Sequence, residues 1–175
     1  MNEAQSFKVV WSKELSGYMD NKLIQFVNSL TGRKLVHFCC EAEILDFDFD
    51  SLVLHAMGCS RVIKNNDILV TVPDYQSWDQ SEDTHNDEWY NMERFWSEIV
   101  GGTVISVELT PWNDLRVKLD NGVTIECLIA NAYPHYEKEQ EQWVLFEHTE
   151  DHSGTFLTVY NKRIEFHDRS APSDQ

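Results

Sequence analysis

The sequence predicts an α+β fold: mainly antiparallel β-sheet meanders with an N-terminal helix and a central helix. Three observations lead there. Apolar residues recur at steps of three and four within the first thirty residues and again over 89–99, but alternate with polar residues in short runs elsewhere. Asn121-Gly122 falls between two such alternating runs, the strongest short-range signal for a hairpin. An apolar content of 42% with 12% aromatics supplies a core, which a disordered chain lacks.

After a short polar start, Leu15, Tyr18, Met19, Leu23, Phe26, Val27 and Leu30 mark one helical face, and Gly32 is placed to stop the helix. From Lys34 the period changes to two. Leu45, Phe47 and Phe49 alternate with Asp46, Asp48 and Asp50, which describes a strand with an apolar inner face and an acidic outer face. Residues 52–54 and 68–72 read as further strands, the latter ended by Pro73. Residues 74–86 are polar, acidic and aperiodic, so a long loop is expected. Trp89, Met92, Phe95 or Trp96, and Ile99 share the face of a central helix closed by Gly101-Gly102. Strands at 115–119 and 123–125 flank Asn121-Gly122, and strands at 143–146, 156–160 and 164–166 complete the set. The last two are joined by a tight turn around Asn161-Lys162, and residues 168–175 read as a frayed polar tail.

A length of 175 residues fits a single domain over 1–175. Shifting the sequence by 70 positions brings Gly32 onto Gly102, Leu35 onto Ile105, Leu45 onto Leu115, Phe47 onto Val117 and Phe49 onto Leu119. A duplication would divide the domain into similar halves, about 1–73 and 86–167, joined by the acidic loop 74–86. The alternative is chance, since any two alternating strands align at some offset.

No enzyme is read from the motifs. Asp46, Asp48 and Asp50 have the spacing of the first ligands of a calcium loop, but Ser51 and Met57 stand where that loop needs Gly and Glu. His148 and His152 lie four apart, yet 143–146 reads as a strand running into a turn at Ser153-Gly154, so helical metal-ligand spacing is not expected. There is no G-x-S-x-G elbow, P-loop or dinucleotide fingerprint. Pro73-Asp74 is followed by no acid-x-Lys triplet of the metal-dependent nuclease type. No catalytic residue, metal or cofactor is therefore expected. Cys39, Cys40, Cys59 and Cys127 show no C-x-x-C spacing and read as free thiols of a reducing compartment. No basic-then-apolar leader opens the sequence and no apolar run approaches the ~20 residues of a membrane helix. A cytoplasmic protein without membrane contact is expected.

Charge gives the direction of function. Thirty Asp and Glu face fourteen Lys and Arg, a net charge of −16. From Asp74 to Glu98 there are eight acids and one base, Arg94, with Tyr75, Trp78, Trp89 and Tyr90 among them. Direct nucleic-acid binding needs clustered bases and is excluded. Such a surface attracts cationic proteins and speeds their capture. Trp78, Asp79, Glu82, Asp83, Asp87, Glu88 and Trp89 are the candidate partner-binding residues, because tryptophans anchor interfaces and flanking charges steer association. The bland alternative is a solvated loop. A second acidic stretch, Glu137, Glu139, Glu141, Glu147, Glu150 and Asp151 around Trp143, offers an extension of the same surface.

The pattern Leu54-His55, Arg61-Val62-Ile63, a polar insert with Trp89 and Asn91, the segment 114–125, the strand 142–146 and the closing hairpin 160–165 resembles a group of small bacterial proteins. The likeness covers roughly residues 50–167, and such small acidic proteins resemble the immunity partners of bacterial toxin systems, including contact-dependent growth inhibition. The resemblance implies a non-catalytic immunity protein that binds and neutralises a toxin's catalytic domain. With the acidity, the partner expected is a basic nuclease domain. A regulatory or adaptor module with no toxin partner is the alternative.

Overall fold

The structure, a computed structural model, describes residues 7–9, 21–41, 43–76, 94–130, 139–150, 153–161 and 163–169. In the first part of the chain these form β1 (Phe7–Val9), α1 (Asn21–Asn28), β2 (His37–Glu41), β3 (Ile44–Phe49), β4 (Leu52–Ala56), β5 (Arg61–Lys64), β6 (Asp67–Thr71) and α2 (Pro73–Gln76). A helix over 94–99 follows. Then come β7 (Val104–Leu109), β8 (Leu115–Leu119), β9 (Val123–Cys127), β10 (Glu141–Glu147), β11 (Phe156–Tyr160) and β12 (Ile164–His167). The fold is α+β, mostly antiparallel sheet, with an N-terminal and a central helix.

Two sheets carry the strands, in the orders β1-β12-β11-β10-β4-β3-β2 and β6-β5-β9-β8-β7. The same connectivity occurs twice and is exchanged between them. The meander β2-β3-β4 lies in the seven-stranded sheet, while the hairpin that follows it, β5-β6, joins the five-stranded one. The meander β7-β8-β9 lies in the five-stranded sheet, while β10 and β11 cross to the other. Each meander's last strand pairs antiparallel with the other half's hairpin, Leu54 opposite Leu145 and Ile125 opposite Val62.

The strands form where period-two alternation meets a core. Leu45, Phe47 and Phe49 are fully buried, and so are Leu115 and Val117 of β8, Val62 of β5, and Trp143 and Leu145 of β10. Together with Leu23, Phe26 and Val27 of α1 they make one cluster between the sheets. Phe26 of α1 meets Phe166 of β12 at 5.7 Å between ring centroids.

The two helix ends are tied to each other. Gly32 N donates to Val104 O at 2.9 Å, and Gly101 N donates to Leu35 O at 2.8 Å. Both glycines have positive φ, +83° and +97°, a conformation in which a Cβ is strained. Between them Lys34 bridges Thr103 antiparallel. The bonds are reciprocal about that bridge: Leu35 N donates to Gly102 O and Val104 N donates to Arg33 O, at 2.9 and 2.8 Å.

Some expectations need correction. Asp50 is not on the outer face of β3: the strand ends at Phe49, and Asp50 turns the chain with φ 73°. Residues 7–9 of the polar start form an edge strand on β12. The expected loop at 74–86 begins as a helical turn, α2, and its remainder lies outside the described residues, as do Leu15, Tyr18, Met19, Trp89 and Met92.

Candidate interaction surface

All seven candidate partner-binding residues, Trp78, Asp79, Glu82, Asp83, Asp87, Glu88 and Trp89, lie outside the described residues. Both ends of the segment that carries them are described, and each is held by the five-stranded sheet. At the entry, β6 is an edge strand and its end is capped: Asp74 Oδ2 accepts from Thr71 N at 2.7 Å and from Thr71 Oγ1 at 2.8 Å. A carboxylate reaching back to the backbone N–H three residues earlier satisfies a donor at the end of the edge strand β6. Asp74 thus has a structural task.

At the exit, the C-terminal end of the helix over 94–99 is held by two neighbouring hairpins. Lys64 donates to Glu98 O at 3.1 Å, and its ammonium lies 3.7 Å from the Glu98 carboxylate. Asn121 Nδ2 donates to Ile99 O at 3.3 Å. A cation at a helix C-terminus opposes the negative end of the peptide dipoles. The choice between Phe95 and Trp96 is settled by packing: Phe95 is half-buried against the core with Arg94 over its ring at 5.1 Å, whereas Trp96 is 38% exposed.

The outer face of the five-stranded sheet carries a row of pairs, Thr71, Arg61, Glu126, Arg116 and Glu108 on successive strands. Glu126 is buried and accepts from Arg61 Nε at 2.7 Å and Arg116 Nε at 2.8 Å, with each Nη2 as close again. Burial pushes its carboxyl up, but hydrogen bonds and charge from the two guanidinium groups outweigh that and hold it below the usual range. On the other sheet Arg163 is bound by Glu139 and Glu165 and stacks over Tyr160, and Lys22 pairs with Asp168 at 2.8 Å. These bases are engaged by the chain's own carboxylates.

The second acidic stretch is not built around an exposed anchor. Trp143 is fully buried and donates its indole N–H to Asn113 O at 2.9 Å, while Glu147 accepts from Thr155 N at 2.7 Å. Glu137, Asp151 and His152 lie outside the described residues, and among the described residues no group of three or more His, Cys, Asp or Glu is arranged to hold a metal ion. No described helix is long and apolar enough to cross a membrane.

Sequence reasoning missed one exposed cluster: Val36, 41% exposed, the exposed His37, and Trp96, whose ring lies 6.5 Å from that of His37. The signal was an aromatic pair, Phe95-Trp96, of which only one member can face a core. No family model, curated protein or solved structure matches this chain.

Proposed function

We propose that this chain is a non-catalytic, cytoplasmic immunity protein that binds a basic toxin domain, in the best case a nuclease, through the acidic, aromatic-bearing segment between α2 and the helix over 94–99. The observation that carries the reading is electrostatic. Five bases outside the segment, Lys22, Arg61, Lys64, Arg116 and Arg163, are paired with carboxylates of the described residues. The acids Asp79, Glu82, Asp83, Asp87, Glu88 and Glu93 follow one another in sequence with no Lys or Arg among them. A cationic groove evolved for phosphates offers the missing charge, the carboxylates standing in for substrate phosphates and Trp78 and Trp89 supplying desolvated anchors.

The test is co-expression with a basic toxin nuclease domain, followed by binding measured across salt. Rescue of growth, with an affinity that falls steeply with salt and is lost on charge reversal at Asp79, Glu82 and Asp83, is expected. Binding insensitive to salt and to those reversals would refute it and leave the adaptor reading, with contacts on a sheet face.

A further inference from the structure

An aromatic pair, Trp96 of the helix over 94–99 and His37 of β2, lies on the surface of the described residues. Large exposed apolar side chains are few among the described residues: Val36, Ile68, Trp96, Ile105 and Trp112. Ile68 sits in the β5–β6 hairpin, Ile105 on the edge strand β7 and Trp112 in the turn after it. Only Trp96 has another ring beside it, His37, with the planes inclined at 59°, and Val36 precedes that histidine in sequence.

The surroundings are those of a cation acceptor. Asp48 stands opposite His37 across the β2–β3 pair, and its Oδ1 is buried with no hydrogen-bond donor. Burial raises the Asp48 carboxyl, against the opposing charges of His148 and His37. On the helix of Trp96, Glu98 is exposed with its carboxylate 3.7 Å from the Lys64 ammonium, Arg94 lies over the Phe95 ring, and Asp87, Glu88 and Glu93 precede that helix in the chain. A planar guanidinium stacks on an indole face and donates to carboxylates at its edge, whereas a compact, strongly hydrated ammonium does not stack.

We infer that Trp96 and His37, with Asp48 behind them, form a docking site for an arginine side chain of a cationic protein partner. This rests on the proposed cationic partner and names the side chain such a partner presents here.

The probe is an octa-arginine peptide, compared with octa-lysine, titrated at low ionic strength into the intact 15N-labelled chain while the indole N–H signals are followed. Trp96 should shift saturably with octa-arginine, Trp112 should not although it is 75% exposed, and Trp143 should report an unchanged fold. Trp96→Leu should weaken octa-arginine binding by about two- to fivefold and octa-lysine binding less. Asp48→Asn should weaken it in the same direction. Equal shifts at Trp112 and Trp96, equal response to the two peptides, or undiminished affinity in Trp96→Leu with the Trp143 signal intact would overturn the assignment. Charge reversal at Asp79, Glu82 and Asp83 separates this site from the broader reading. If reversal changes nothing while Trp96→Leu weakens binding, the patch stands and the acidic-segment reading falls. If reversal abolishes binding while Trp96→Leu changes nothing, the patch falls and the acidic-segment reading stands.

Discussion

Glu126→Gln isolates the electrostatic centre of the five-stranded sheet. The Glu126 side chain is 7% exposed and takes paired N–H donors from Arg61 on one side and Arg116 on the other. Glutamine has nearly the same shape but one acceptor oxygen, so it serves one guanidinium and turns an NH2 donor toward the other. Two charge-assisted bonds of about 1.5–3 kcal/mol each are lost on that side. The arginines, 38% and 43% exposed, recover part of this by rehydration, so a net loss of about 2 kcal/mol is expected. With a urea slope of about 2 kcal/mol per molar, the midpoint falls by about 1 M. Glu108→Gln is the control: this carboxylate is 60% exposed and meets only Arg116 at 3.3 Å, so its loss should cost about 0.5 kcal/mol or less.

The pH dependence sharpens the experiment. A carboxylate held below its ordinary value in the folded chain stabilises the fold at pH above the unfolded value, and that stabilisation is lost as pH falls through the folded one. Glutamine does not titrate. The gap between wild type and variant should therefore be full near neutrality and narrow as pH drops below the ordinary carboxylate value of about 4.5. A gap that stays constant into the acid range, or a Glu126→Gln chain as stable as wild type in urea, would refute the assignment of Glu126 as the charged hub of this face.

Two further outcomes follow from burial. Trp143→Phe removes the donor to Asn113 O and leaves a void in the core, which should cost about 3 kcal/mol and lower Tm by roughly 6–12 °C by calorimetry; a shift of only a degree would sink it. The Cys127 thiol is pushed up to about 12, chiefly by burial and against a hydrogen bond with Ser60, so iodoacetamide should label the exposed Cys59 and spare Cys127 in the folded chain. Peptide mapping that finds both cysteines labelled at the same rate contradicts this.

The alternation of Leu45, Phe47 and Phe49, of Leu115, Val117 and Leu119, and the Asn121-Gly122 turn were readable because one face of each strand meets the core. The strands β5 and β7 were not, and the reason is local. In β7 the extra residue Ile105, between Val104 and Ser106, breaks the two-residue period, and β5 is four residues long with Val62 as its one buried position. In β2 the two inward residues, Phe38 and Cys40, fall within the period-two stretch from Lys34 but make too short an alternation to mark a separate strand. Strand partners were out of reach for a different reason. Nothing local to Leu54 announces Leu145 as its neighbour, since that pairing depends on chain distant in sequence. The same limit applies at the surface. Helical spacing admits Phe95 and Trp96 equally to the core face, and only the packing of Phe95 against the cluster turns Trp96 outward.

The exchange of strands bears on why acidity is tolerated where it is. Each sheet takes strands from both halves, so neither half buries its inner face alone, and the connection between them must exist. Yet both ends of that connection are held by one sheet: the entry by β6 and the Asp74 cap, the exit by Lys64 of β5 and Asn121 of the β8–β9 turn. Closing a loop between points on one sheet costs little more when the loop is long, about 0.6 kcal/mol for each doubling of its length. Residues 77–93 join those two ends and carry six carboxylates with no Lys or Arg among them. Repulsion among those carboxylates is a cost that recurs in the free protein and is relieved when a cation-rich surface binds. A folding account leaves that cost without a return, whereas a partner-binding account recovers it on association, and this asymmetry supports reading the segment as one that meets a partner.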